Sequence, residues 1–423
     1  MIRVNSEVER LRRVVVQPPG PALERMLPEH IVPDSSQYLL FDDLVDVPQA
    51  RREHQALCEV LGTMAEVLIF QDLLADVLKD DRRRGALIDE VAILHGLPDS
   101  VQRTLRDLGP DALAATMIVG TVGGEVGEQP LFHPTPNLIF TRDLVAVVGE
   151  VVIVGNASKR ARQRETLMAW ALVDGHPLFS EARVSKTSRR IHERGGSAPL
   201  TVEGGDVLVI SSSLVCLGAS ERTSWSMIVA LADELLDAGF TRVLVVEMPK
   251  QRSSMHLDTV FTMVSWDTGV VYSPLLEPGG REEAKTIRLR RLGGTTAVED
   301  LDCDLFDALA KEGHPLQSII CGGENPIHSR REQWTDGANY LALGPGVVVG
   351  YARNRYTGRE MEAQGFEIMD SDSFLGTISK DFGGDADALL ASGRRIAVHL
   401  IGSELSRGRG GPRCLTLPLW RDG

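Results

Sequence analysis

The feature that most constrains this chain is a pairing of short apolar runs that recurs along it. "DLVAVVGEVVIVG" from Asp143 is two such runs around a Gly-Glu turn, and the helical stretch "RQRETLMAWALV" follows it. "DVLVISSSLVCLG" from Asp206 precedes "ERTSWSMIVALADELLDAG" in the same way. "TVFTMVSWDTGVVYS" from Thr259 turns on Asp-Thr-Gly, and "NYLALGPGVVVGY" from Asn339 turns on Gly-Pro-Gly ahead of "NRYTGREMEAQG". Paired β-rich runs around tight turns read as hairpins. Similar hairpin–helix units predict a pseudo-repeated α/β architecture, and their uneven spacing excludes a simple solenoid.

One region breaks the pattern. From about Gln71 to Val122 the spacing of apolar residues is helical, with almost no strand signal. The expected organisation is therefore a β-rich repeat domain formed by 1–70 and 123–423, with 71–122 inserted as a helical unit. The segment Asp370–Arg395 is a second excursion, expected to be a surface feature, an oligomer contact or a lid over the site.

Each hairpin follows a polar lead-in: "NLIFTRD", "VEGGD", "MHLD" and "WTDGAN". If the units surround one axis, these lead-ins converge, and Cys414, just before "LTLPL", is the fifth. Taken residue by residue the signals stay open. Cys414 sits in "RGRGGPRCLTLP", where it could be a small buried hydrophobe, part of an RNA-binding segment, or a thiolate favoured by neighbouring arginines. The net charge of -14 disfavours nucleic acid as a partner. His256 and Asp258, two apart on extended chain, point to one face and suit a packed histidine, acid–base work or a metal. No cluster of further ligands at metal spacing accompanies them, so no metal is expected. Glu203 and Asp206 flank two glycines in an ordinary turn signal, and Asp143 and Arg222 have equally plain readings. Together, however, carboxylates, a histidine, arginines and one thiol suit a planar cation held by carboxylates and attacked by sulfur while histidine moves protons. A guanidinium fits, because its N–H groups pair bidentately with carboxylates. Arginines would then hold an anionic end such as an α-carboxylate.

These stretches, "PTPNLIFTRD", "RQRETL", "VEGGDV", "SERTS", "MHLDTVFTM", "REQWTDGANYLALGPGVVVGYARN" and "SELSRGRGGPRC", resemble the bacterial arginine deiminases in identity and order, as do "LLFDD" and "ARREHQ" nearer the N-terminus. The resemblance implies a five-bladed, pseudo-symmetric α/β propeller of ββαβ-type modules with an inserted helical bundle. It also implies hydrolysis of L-arginine to L-citrulline and ammonia through a covalent thiouronium, with no cofactor. Cys414 would be the nucleophile and His256 the general acid and base. Asp143 and Asp258 would grip the guanidinium, with Glu203 beside the reacting carbon. Asn137, Arg162 and Arg222 would read the α-carboxylate end, and Phe140, Asp206, Gly408 and Arg409 would line the site. The alternatives are an amidinotransferase, or a deiminase of a modified arginine or another guanidino compound.

No run approaches the roughly 18 apolar residues of a membrane span. The five cysteines are scattered and form no CxxC, and the N-terminus carries no apolar signal core, so the cytoplasm is the expected compartment. The partner expected is a small guanidino molecule, not a membrane, and the sequence is compatible with a homo-oligomer.

Overall fold

The structure, a computed structural model, describes residues 1–33, 35–127, 130–195, 200–276 and 284–422. Every hairpin expected from the apolar runs is formed. Val145–Val148 pairs antiparallel with Val151–Val154, Val207–Ser211 with Leu214–Ala219, Phe261–Ser265 with Thr268–Val271, and Leu341–Gly344 with Val347–Tyr351. In each case the second strand also takes a parallel neighbour on its other side: Arg183–Val184, Arg242–Glu247, Gln317–Ile320 and Ile396–Leu400 respectively. A parallel neighbour requires a crossover, and the intervening helices supply it. Gln163–Gly175 and Trp225–Asp237 are two of these.

A fifth unit is assembled from both ends of the chain. Leu417–Arg421 pairs antiparallel with Leu11–Val16, which takes Glu66–Ile69 as its parallel neighbour across the helix Val47–Gly62. Among the described residues there are thus five sheets, of mixed parallel and antiparallel strands, in an α/β fold. The sheet containing Val207–Ser211 is the widest, extended by the antiparallel ribbon Lys285–Leu292 and Thr295–Asp300.

Between the strands Glu66–Ile69 and Val145–Val148 the described residues form four α-helices: Phe70–Val77, Asp81–His95, Asp99–Asp107 and Pro110–Val119. Local signals set their ends. Asp80 accepts from the Arg83 amide at one N-terminus, Pro110 opens the last helix, and Gly96 and Gly120 end theirs in the left-handed conformation.

The segment 370–395 is not a lid. It is the crossover between two parallel strands, Glu367–Met369 and Ile396–Leu400. Its helices Ser371–Phe382 and Ala386–Ala391 bury Phe374, Ile378 and Leu389 in the same core as the helix Val47–Gly62. A connection of this length is what a parallel pair needs.

Candidate active site

The lead-ins to the hairpins meet in a closed circuit of contacts. The Arg142 amide donates to the Cys414 carbonyl at 3.2 Å, and the Cys414 amide donates to Asn339 Oδ1 at 3.1 Å. Asn339 Nδ2 donates to the Asp258 carbonyl at 2.9 Å, and the Leu257 amide donates to Asp206 Oδ1, also at 2.9 Å. The turn before Asp206 closes the circuit, because Gly204 lies so near Arg142 that an added Cβ would come within 2.1 Å of its carbonyl oxygen. Gly205 is similarly confined by the His256 ring, at 2.6 Å from Nδ1. Side chains at these two positions would force the ring of lead-ins open.

Inside this circuit Asp143, Glu203 and His256 are buried, with one ligand-type atom of each within 4.8 Å of the others. His256 Nε2 is 3.0 Å from Glu203 Oε2, and its Nδ1 is 3.7 Å from Asp143 Oδ1. Burial opposes the imidazolium, but Asp143, the Glu203 hydrogen bond and Asp206 outweigh it and push His256 up to about 9. Glu203 moves the opposite way. Burial raises it, yet Arg222, the His256 hydrogen bond and Arg162 hold it well below the usual carboxylate range. A protonated imidazole is a proton donor and not a metal ligand, and Arg162 already engages both Asp143 and Glu203. The trio therefore reads as acid–base machinery.

Cys414 lies against Asp258, its Sγ 3.5 Å from Oδ2, and is buried. The expectation that neighbouring arginines favour its thiolate is overturned. Burial, then Asp258, Asp143 and Asp336, push the thiol well above its ordinary range, and Arg413 opposes them too weakly. Neither Arg407 nor Arg409 hydrogen-bonds the thiol: Arg407 pairs with Asp43, and Arg409, whose charge still feels Cys414, stacks on Trp334 with its centre 3.9 Å from the ring and donates to the Trp334 carbonyl.

Asp143 Oδ1 and Asp258 Oδ1 are buried and lack a hydrogen-bond partner, as do both carboxylate oxygens of Asp336, a third acidic group that acts on the thiol. The companion oxygens of the first two are engaged, Asp143 Oδ2 by Arg162 and Asp258 Oδ2 by Arg413 at 2.8 Å. Buried acceptors left unpaired are costly, so Asp143 and Asp258 are complementary to a ligand that brings donors.

The remaining residues singled out from sequence are placed as follows. Arg162 is saturated by protein: Nε donates to Glu165 at 2.7 Å, Nη1 to Asp143 and Glu203, and Nη2 to the carbonyls of Asn137 and Phe140. Arg222 is less committed. Its Nη1 reaches Glu203 at 3.3 Å, Nη2 faces Met255 sulfur, and its buried Nε makes no hydrogen bond, though it stands 3.9 Å from Glu221 Oε1. It also lines a cavity of about 920 Å3 shared with Leu39, Lys159 and Arg252. Asn137 gives its amide to the Leu39 carbonyl at 2.7 Å, which stitches the "LLFDD" segment to the site. Asp206 acts on His256 through space, with its hydrogen bonds going to the surrounding segments. It supports the His256–Asp258 segment from beneath through Leu257 and accepts from Ser220 Oγ at 2.6 Å, and burial pushes it up to about 7. Phe140 packs on Gly408, where a Cβ would meet its ring at 2.9 Å. Arg409 is anchored to Trp334 and Ser253 and makes no hydrogen bond to the central group.

Sequence reasoning passed over Arg413, Glu7 and Asn339. Glu7 receives Arg413 Nε at 3.1 Å and Nη2 at 3.0 Å, which aims Nη1 at Asp258. Adjacency to Cys414 was the available signal for Arg413, and the lead-in "WTDGAN" was the signal for Asn339; nothing local marks Glu7.

The family model described as arginine deiminase matches residues 37–108 and 121–421. The arginine deiminase of Listeria monocytogenes serotype 4a (strain HCC23) is 32% identical over 445 residues, spanning 100% of this chain and 98% of that protein. Among solved structures, the product-bound N-terminal domain of ArgZ, an arginine dihydrolase from the ornithine–ammonia cycle in Cyanobacteria, superposes with a TM-score of 0.52 at 14% identity, over 98% of each chain. SxtG, an amidinotransferase from Microseira wollei in the saxitoxin biosynthetic pathway, gives 0.53 at 13% identity, over 100% of this chain and 98% of that one. At such identities these two likenesses speak for the fold alone.

Proposed function

This chain belongs to the arginine deiminase family, and on that premise we propose how its residues carry out the family's reaction. The chain is a hydrolase of the guanidino C–N bond that converts L-arginine and water to L-citrulline and ammonia. The observation that carries the site assignment is the pair of buried oxygens that accept no hydrogen bond, Asp143 Oδ1 and Asp258 Oδ1, beside the thiol and the imidazole. A guanidinium supplies N–H donors to both at once. Its charge also offsets the carboxylates that hold the Cys414 thiol protonated, so the nucleophile is unmasked by the substrate itself.

In this reading the guanidinium's arrival lets the Cys414 proton pass to solvent, and the resulting thiolate attacks the guanidinium carbon. His256, held as imidazolium by Glu203 and Asp143, gives its proton to one departing nitrogen, and ammonia leaves. An S-alkylthiouronium remains on Cys414. The now neutral His256 takes a proton from water, the hydroxide adds to the same carbon, and collapse expels the thiolate and citrulline. Arg222, which lines the cavity and makes fewer hydrogen bonds to protein than Arg162, is the better placed of the two arginines to receive the substrate α-carboxylate. Arg162, spent on protein acceptors, acts by fixing Asp143.

We propose that the five sheets are blades of a five-bladed propeller whose axis passes through the circuit of lead-ins, with 71–122 as an inserted helical domain. Free cysteines throughout the described residues suit a reducing cytoplasm, and no helix among those residues is long and apolar enough to cross a membrane. The deciding experiment is incubation of the purified protein with L-arginine and no amine acceptor. Citrulline and ammonia in equal amounts are expected; arginine left unconverted would refute the assignment.

A further inference from the structure

The helix Val47–Gly62 presents to the core a side chain that its composition does not explain. Within "ARREHQ", Arg51 and Arg52 are exposed while Glu53 is buried. The partners of the Glu53 carboxylate are neutral donors. Oε1 accepts from Ser403 Oγ at 2.8 Å, the Glu404 amide at 3.3 Å and Gln49 Nε2 at 3.2 Å. Oε2 accepts from the amides of Glu404 and Leu405, both at 3.0 Å. These donors open the chain that runs into Cys414. Its middle is held by the Tyr351 hydroxyl, which donates to the Gly410 carbonyl at 3.0 Å, and its end by Asn339 on the Cys414 amide. Gly410 is wedged so closely that an added Cβ would stand 2.2 Å from Phe140 Cε1 and 3.1 Å from Cys414 Cβ. A shift at 403–405 therefore has nowhere to dissipate before it reaches the thiol.

We propose that Glu53 is a positioning residue for the reaction: its carboxylate fixes the backbone at 403–405 and thereby sets where Cys414 meets the substrate carbon. The inference rests on Cys414 as nucleophile. Glu53 touches neither the substrate site nor the reacting atoms.

Three substitutions separate positioning from charge. Glu53→Gln keeps an oxygen for the two amides and can donate to Ser403 Oγ, Glu53→Asp keeps the charge but loses reach, and Glu53→Ala removes both. A displacement of about 1 Å can cost on the order of 100-fold, so Glu53→Ala should lose about 10- to 100-fold in kcat with KM changed less than about threefold, Glu53→Asp should fall between, and Glu53→Gln should stay within about threefold of the parent. Alkylation of Cys414 by iodoacetamide, followed by peptide mass spectrometry, should quicken in the order Gln, Asp, Ala as the covering loop lifts. Leu231→Ala, a cavity in the helix Trp225–Asp237 remote from this loop, controls for lost stability, and below its melting temperature both readouts should match the parent. Full kcat in Glu53→Ala, an Asp variant better than the Gln variant, or Leu231→Ala reproducing both effects would each overturn the inference. Should Glu53→Ala not fold, the order of the Gln and Asp variants decides. Turnover by Cys414→Ala would instead overturn the thiolate reading, whatever Glu53 does.

Discussion

Cys414 Sγ stands 3.5 Å from Asp258 Oδ2, the same oxygen that accepts from Arg413 Nη1 at 2.8 Å. The thiol thus shares a carboxylate with a cation, and burial and the carboxylates win: the free protein keeps it protonated. Inactivation of the substrate-free protein by iodoacetamide should accordingly still be accelerating as pH rises through 9.0, the ordinary thiol value. Asp258→Asn removes an anion and frees Arg413, so its inactivation profile should move to lower pH while turnover falls. An unchanged profile would show that Asp258 does not set the thiol's ionisation.

Cys414→Ala should abolish turnover and leave the fold intact, since one sulfur supplies the covalent step. Cys58, Cys216, Cys303 and Cys321 should each be dispensable for chemistry, although Cys216 and Cys321 are fully buried and their loss will lower Tm. Intact-protein mass spectrometry after rapid quench should detect the thiouronium adduct on the parent and not on Cys414→Ala.

The His256–Glu203 pair makes a prediction about pH whose sign is fixed. The folded-state pKa of His256 is raised from 6.5 to about 9, so its contribution to stability is complete below 6.5 and is lost as pH rises through 9. The full contribution is on the order of 3 kcal/mol. His256→Gln should therefore lower stability towards urea most at pH 6 and least near pH 10. In turnover, His256→Ala should slow adduct formation by about 10²- to 10⁴-fold.

Arg222 is the test of substrate recognition. Agmatine presents the same guanidinium to Asp143 and Asp258 but brings no carboxylate to Arg222. A hydrogen bond to a charged group is worth about 1.5–3 kcal/mol, so agmatine, which cannot make it, should lose roughly 10- to 100-fold in kcat/KM relative to arginine. Arg222→Ala should narrow the gap by harming arginine. Equal efficiency on both substrates in the parent would remove Arg222 from that role.

Two glycines give opposite expectations. Gly410→Ala drives a methyl into Phe140 and against Cys414, and overpacking of this kind costs about 1–3 kcal/mol, with kcat falling alongside Tm. Gly376, inside the helix Ser371–Phe382 with nothing within 4 Å of an added Cβ, should gain up to about 1 kcal/mol as Ala and keep full activity. Paired thermal melts and citrulline assays check both.

What the sequence by itself determined is what lies within a few residues. The hairpin at Val145–Val154 follows from two apolar runs and a Gly-Glu turn, and the helical character of 71–122 from the spacing of its apolar residues. The chemistry of Cys414, His256, Asp143, Glu203 and Asp258 was legible as a set of residue types, in lead-ins that a repeated unit brings together. Tertiary structure decided the rest. It paired Leu11–Val16 with Leu417–Arg421 from opposite ends of the chain, and it carried Glu7 to Arg413 and Glu53 to the 403–405 amides. It turned 370–395 into a crossover, because only the parallel pairing of its flanking strands reveals that need. It also reversed the expected bias on the thiol. Arg407 and Arg409 bind Asp43 and Trp334, and Arg413 is shared between Glu7 and Asp258, while carboxylates from three other lead-ins act on the sulfur. Periodicity and caps act through bonds and neighbouring turns, whereas ionisation responds to charges through space, and those distances are set only when the five units close on one another.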